Sequence, residues 1–271
     1  MSEKNEILVI IDPQNDFMDS PNYTGSLAVK GAYNDMLRLV ERIKLNPPSD
    51  IVITLDTHTP YHIAHPLAWI NTEGKNPDPY TVITVDDVMT GVWKASNIEE
   101  QAHHEFYVKQ LAIQNNYELR IWPFHCIDNT IGHKVEENLQ NALNEWEAST
   151  GKKVIYIRKG LNNKTENYSV FKAEVVLEDD IDTHLNTKLI NMINSYKKVI
   201  FAGEASSHCV GGSVMHYLEN IPKEDISKTT ILKDCTSPVT GFENDSEKFF
   251  QNVVSLGAKL ANALDGKRLK M

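Results

Sequence analysis

The chain has 271 residues, 41% hydrophobic and 24% charged, with a formal net charge of −10. That length suits one large α/β domain, and the acidic balance argues against a nucleic-acid partner or an anionic membrane surface. No apolar run approaches the roughly 18–20 residues of a membrane span, and the opening MSEKNEILVII lacks the basic region and cleavage site of a signal peptide, so a cytoplasmic protein is expected.

In chain order, EILVIID (6–12) reads as a buried strand, after which Ala32, Met36, Leu39, Val40 and Ile43 share one helical face. The strand DIVITLD (50–56) runs into a stretch dense in Asp and His, LDTHTPYHIAHP (55–66). Residues 63–120 are too long for a bare loop. They predict an insertion at the Asp/His end of the sheet, with a helix over NIEEQAHHEFYVKQLAIQN. Val135, Leu139, Leu143 and Trp146 lie on one helical face before the strand KVIYIRK (153–159). Leu185, Leu189, Ile193 and Tyr196 do the same before KKVIFAG (197–203), and Val210, Val214, Leu218 and Ile221 before TTILKD (229–234). The tail AKLANALDGKRLKM after Gly257 predicts an edge strand or a frayed helix. Strands this apolar, without alternation, are expected to be buried on both faces, and the helices between them supply the crossovers that parallel strands need. The expected fold is a three-layer α/β/α arrangement around a parallel sheet, in one domain over 1–271.

Ligands of open parallel sheets bind beyond the carboxyl ends of the strands. The predicted strands end at Asp12, at Asp56 and then His58, at Lys159, and at Gly203, where EASSHCVGGSVMHYL places Cys209 at a helix start. A helix N-terminus and an ammonium both lower a thiol pKa. Asp12 can take and return a proton, and backbone N–H groups near Cys209 can hold an oxyanion. Together these groups imply acyl transfer from an amide through a thioester. Taken singly, each has a plainer explanation: a loop-fixing Asp12, a solvated Lys159, a buried small thiol at Cys209.

Six segments, VIIDPQNDF (9–17), LDTHTPYH (55–62), WPFHC (122–126), IRKG (157–160), NYSVF (167–171) and AGEASSHCV (202–210), occur in this order. In them the chain resembles the nicotinamidase branch of the isochorismatase-like cysteine hydrolases, from the first strand to about residue 235. The resemblance implies a six-stranded, mostly parallel sheet and a catalytic triad of Asp12, Lys159 and Cys209. It implies a divalent metal ion held by Asp56, His58 and His125, with His62 as a further ligand in some members. Zinc suits such imidazole and carboxylate donors, as do iron and manganese. Phe17, Trp122 and Tyr168 match positions that enclose the substrate ring, and a non-proline cis peptide of the oxyanion hole maps to Glu204–Ala205. The implied partners are a small amide substrate and, from the fold, further copies of the chain.

The remaining histidines and cysteines read more plainly. His65 is expected at the mouth of a loop, His103 and His104 on a solvated helix face, and His133 and His216 on helix surfaces, while His208 caps its helix or lines the pocket. Cys126 is expected to face away from the metal, because neighbours in extended chain point to opposite sides, and Cys235 to pack. Two features depart from the family: the long 63–120 segment, and the charged Glu204 where an apolar residue is usual. The first hypothesis is hydrolysis of nicotinamide or a similar heteroaromatic amide. The alternatives are another small amide, carbamoyl or ureido compound, and a catalytically silent binding protein.

Overall fold

The computed structural model describes residues 5–114 and 117–265. Its main sheet has six strands in the order β10-β9-β8-β1-β2-β7, namely Lys259–Ala261, Thr229–Leu232, Lys198–Gly203, Glu6–Ile11, Asp50–Asp56 and Ile155–Lys159. Every pairing in it is parallel, so the sheet is wholly rather than mostly parallel. The central strand shows why its sequence does not alternate. Leu8 and Ile10 enter one core with Met36, Leu39, Leu139 and Leu143, while Ile7, Val9 and Ile11 enter the other with Val210, Val214 and Phe249. Each fully buried aliphatic side chain contributes roughly 1.5–3 kcal/mol, so both helical layers are held by the same strand.

The first layer is α1 (Ala32–Leu45) against α4 (Glu137–Thr150). The second is α5 (Thr187–Asn194), α6 (Cys209–Glu219) and α7 (Glu243–Leu256). Not every strand is buried on both faces. In β7 only Lys159 is fully buried, and Tyr156 is 42% exposed, because this edge strand pairs with β2 alone. The tail resolves into the edge strand β10, with residues 266–271 outside the described ones.

The insertion is a packed subassembly. Two short antiparallel pairs, β3 (Trp69–Ile70) with β5 (Lys94–Ala95) and β4 (Val82–Ile83) with β6 (Leu119–Arg120), carry α2 (Val85–Met89) and α3 (Gln101–Ile113). The predicted helix survives as α3, and its last residue, Asn115, lies outside the described residues. His104 is not solvated: it is buried, meets the Trp69 ring at 4.4 Å and bonds the Ala68 and Glu100 carbonyls. No described helix is long and apolar enough to cross a membrane.

Candidate active site

Strand order places the chemistry. β8, β1, β2 and β7 are adjacent, so their carboxyl ends bring Cys209, Asp12, Asp56 and Lys159 onto one rim. Lys159 sits at the centre. Its Nζ lies 2.9 Å from Asp12 Oδ2, 3.0 Å from Asp56 Oδ1, 2.7 Å from the Asn167 carbonyl and 3.5 Å from Cys209 Sγ. Burial alone would push this ammonium down, but Asp12, Asp56 and Cys209 reverse that and hold it well above the ordinary lysine value. Asp12 lies at φ +45°, and its N–H and carboxylate both bond the Thr54 hydroxyl. Burial raises its carboxyl and Lys159 only partly offsets this, so Asp12 is a stronger base than an exposed aspartate.

The sequence led us to expect a lowered thiol pKa at Cys209, and the structure corrects this. Burial pushes the thiol well up; Lys159 pulls it down, and Asp12 and Asp56 push it up again. Without a further cation the resting sulfur therefore keeps its proton. Cys209 is 7% exposed, at the first position of α6. The peptide Glu204–Ala205 is cis, and the Ala205 carbonyl accepts from the His208 and Val210 N–H groups, at 3.0 Å each.

Beside Lys159, Asp56, His58 and His125 bring three buried ligand atoms within 4.8 Å of one another. His58 Nε2 lies 3.0 Å and His125 Nε2 3.4 Å from Asp56 Oδ2. Burial would raise the Asp56 carboxyl, but His58 and Lys159 hold it well below the usual range. Burial would lower His58, and Asp56 raises it on balance. The donor set and the crowding fit a divalent ion: His58 Nδ1 is buried without a partner, and a Cβ on Gly160 (φ +74°) would stand 2.8 Å from His58 Cε1 and 2.9 Å from Asp56 Oδ1. His62 packs on His58 at 4.3 Å but does not complete the set, because its Nδ1 accepts from the Ala64 N–H and its Nε2 bonds the Thr165 carbonyl. His65 is not at a loop mouth: it is fully buried, with Nε2 3.3 Å from His125 Nδ1.

An aromatic wall completes the site. Tyr117, from the insertion, stacks on His208 at 5.0 Å, and Trp122, Tyr168 and Phe242 meet that ring edge-on. Trp122 Nε1 donates to the Tyr168 hydroxyl at 3.1 Å, and Phe17 meets the His125 ring at 5.7 Å. His208 is the N-cap residue of α6 but makes no side-chain cap bond, and burial lowers it to about 4, so it is neutral at pH 7. A groove of about 850 Å³ is lined in part by Lys159 and Asn167, and Cys209 does not line it.

Sequence reasoning missed the supports of this rim. Gln14 clamps Asp56 from both sides: its amide donates to the Asp56 carbonyl at 2.8 Å and accepts from the Asp56 N–H at 2.7 Å. Asp16 accepts from the Cys126 N–H at 2.7 Å. Cys126 is indeed outside the ligand group, although not for the reason expected: it lies at φ +49°, not in extended chain. Glu204 is fully buried. Burial and Asp35 push its carboxyl well up, and Oε2 accepts from the Ser237 N–H at 3.1 Å. His133 lies in a turn, where its ring bonds the Thr57 hydroxyl. His216 is on α6, with Nδ1 buried and unpartnered. Cys235 packs in the α1 core as expected.

Comparison with known proteins now bears on this arrangement. No family model matches the sequence. A nicotinamidase of Saccharomyces cerevisiae is 24% identical over 239 residues, spanning 86% of this chain and 88% of that one. A nicotinamidase/pyrazinamidase structure from Acinetobacter baumanii superposes with a TM-score of 0.65 at 20% identity, over 98% of this chain and 99% of the other. The fold is that of the nicotinamidases. A pyrazinamidase of Pyrococcus horikoshii solved in complex with zinc shares it, with a TM-score of 0.55 at 19% identity, over 95% of this chain and 99% of that one.

Proposed function

We propose that the chain is a metal-dependent amidohydrolase that converts nicotinamide, or a closely related heteroaromatic amide, into the carboxylate and ammonia through a thioester on Cys209. The observation that carries this reading is the buried Lys159 ammonium, shared by Asp12 and Asp56 and 3.5 Å from the Cys209 sulfur. The likeness to the yeast nicotinamidase supports the substrate. The zinc complex of the Pyrococcus pyrazinamidase supports zinc at Asp56, His58 and His125.

Asp12, raised by burial, takes the Cys209 proton as the sulfur attacks the amide carbon. Lys159 stabilises the sulfur anion and keeps Asp12 and Asp56 from repelling it. The N–H groups of Ala205 and Cys209 would hold the oxyanion. Asp12 then returns the proton to the leaving nitrogen, ammonia departs, and a water activated by Asp12 cleaves the thioester. Asp56, His58 and His125 would hold a divalent ion, which would supply a Lewis acid for the substrate's ring nitrogen and offset the nearby carboxylates. Phe17, Trp122 and Tyr168 enclose the ring, with Ala205 at the carboxamide. The enzyme acts as a single-domain cytoplasmic protein that assembles with copies of itself.

Purified protein of known zinc content is expected to release ammonia and nicotinate in equal amounts from nicotinamide. Cys209→Ala should abolish release while keeping the melting temperature. Turnover by a folded Cys209→Ala protein would overturn the reading.

A further inference from the structure

His65 has two polar neighbours, and both constrain its protons. Its Nδ1 is 3.2 Å from the Thr59 carbonyl and its Nε2 3.3 Å from His125 Nδ1. His125 Nδ1 is in turn 2.8 Å from the Pro123 carbonyl. A carbonyl oxygen only accepts, so each Nδ1 facing one must carry the hydrogen. A neutral His65 with its proton on Nδ1 has a lone pair on Nε2, and that lone pair faces the His125 Nδ1–H. The His125 proton is then shared between Pro123 and His65, and every one of these contacts is a donor meeting an acceptor. The opposite tautomer of His65 would set two N–H groups against each other.

The consequence falls on the far side of the His125 ring. With Nδ1 protonated, the neutral ring carries its lone pair on Nε2, 3.4 Å from Asp56 Oδ2. Two acceptors at that separation repel unless a cation lies between them. We infer that His65 is a positioning residue: its Nε2 lone pair joins the Pro123 carbonyl in holding the His125 Nδ1–H, and so keeps the His125 Nε2 ready for a divalent ion. This rests on the metal reading proposed above. His65 itself stays outside the ligand group, and its ring also packs at 5.2 Å on both His58 and His125, so packing and hydrogen bonding must be separated experimentally.

Two variants of the full chain do this. His65→Phe keeps a ring in the same space but removes the acceptor for His125 and the donor for Thr59. His65→Gln can supply both from one amide. Zinc dissociation constants are measured by competition with a chromophoric chelator on protein first stripped of metal, with the melting temperature of each stripped protein as the control for folding. Loss of such an outer partner weakens metal binding about 10–100-fold, so that loss is expected for His65→Phe, with most of the affinity recovered in His65→Gln. A folded His65→Phe that binds zinc within twofold of wild type would overturn the inference, while a wild type that binds no zinc would overturn the metal reading beneath it. If His65→Phe does not fold, long-range ¹H–¹⁵N correlation of the stripped wild type decides. A protonated Nδ1 and an unprotonated Nε2 are expected on both His65 and His125, and a protonated Nε2 on His65 refutes the inference.

Discussion

Lys159→Met removes the only ammonium within contact of Asp12 and Asp56 among the described residues and leaves two buried carboxylates facing each other. Removing one partner of a buried pair typically costs about 3–5 kcal/mol. The pH sets a second bound. At pH 7, protonating one aspartate from its ordinary value of 3.8 costs about 4 kcal/mol, and the variant can escape further repulsion by doing so. The two figures agree, so a loss of about 4 kcal/mol is expected at pH 7 in metal-free protein. That corresponds to a melting temperature lower by roughly 8–16 °C for a chain of this size. At pH 4.5 the protonation is nearly free, and the loss should shrink to about 1 kcal/mol. Adding Asp12→Asn to Lys159→Met removes one of the stranded charges and should restore most of the stability at pH 7. Urea denaturation at both pH values, with chelator present, measures all of this. An equal loss at both pH values, or a double variant no better than the single, would refute the charge argument.

Gly160→Ala places a methyl group 2.8 Å from His58 and 2.9 Å from Asp56 at a positive φ; zinc affinity should fall at least tenfold, and unchanged affinity in chelator competition would show that the site has more room than described. Glu174 is raised from 4.5 to about 7 by burial and by Glu166. Its folded form therefore holds a proton that the unfolded chain gives up, and stability is present below pH 4.5 and lost as pH rises to about 7. Glu174→Gln should be about 1–3 kcal/mol more stable than wild type at pH 8 and nearly equal to it at pH 4.5; a pH-independent difference would contradict this.

Much of the fold was legible in the sequence because the signals are local. β1 and β2 are largely apolar runs, with Asp12 just past the end of the first and Asp56 closing the second, and the parallel topology sends both to the same rim. Asp12, Asp56, Lys159 and Cys209 could therefore be named in advance. What could not be read acts across the chain. Gln14 meets Asp56 42 residues away, and Asp16 meets Cys126 110 residues away. Nothing in the neighbourhood of Glu204 signals that its carboxyl meets Asp35 and Ser237. Cys126 misled because a positive φ interrupts an apparently extended segment, and His104 because the Trp69 ring that buries it lies in another element. The sign of the Cys209 shift was missed because helix and lysine effects were weighed without burial and two carboxylates.

The central claim, an acyl intermediate on Cys209, is tested most directly by partition with hydroxylamine. Zinc-loaded enzyme turns over nicotinamide at rising hydroxylamine concentrations while ammonia, nicotinate and nicotinohydroxamate are quantified. A thioester predicts that hydroxamate grows at the expense of nicotinate, with one ammonia released for each acyl product. Nicotinate alone at every hydroxylamine concentration would mean that water attacks the amide directly, and would contradict the account.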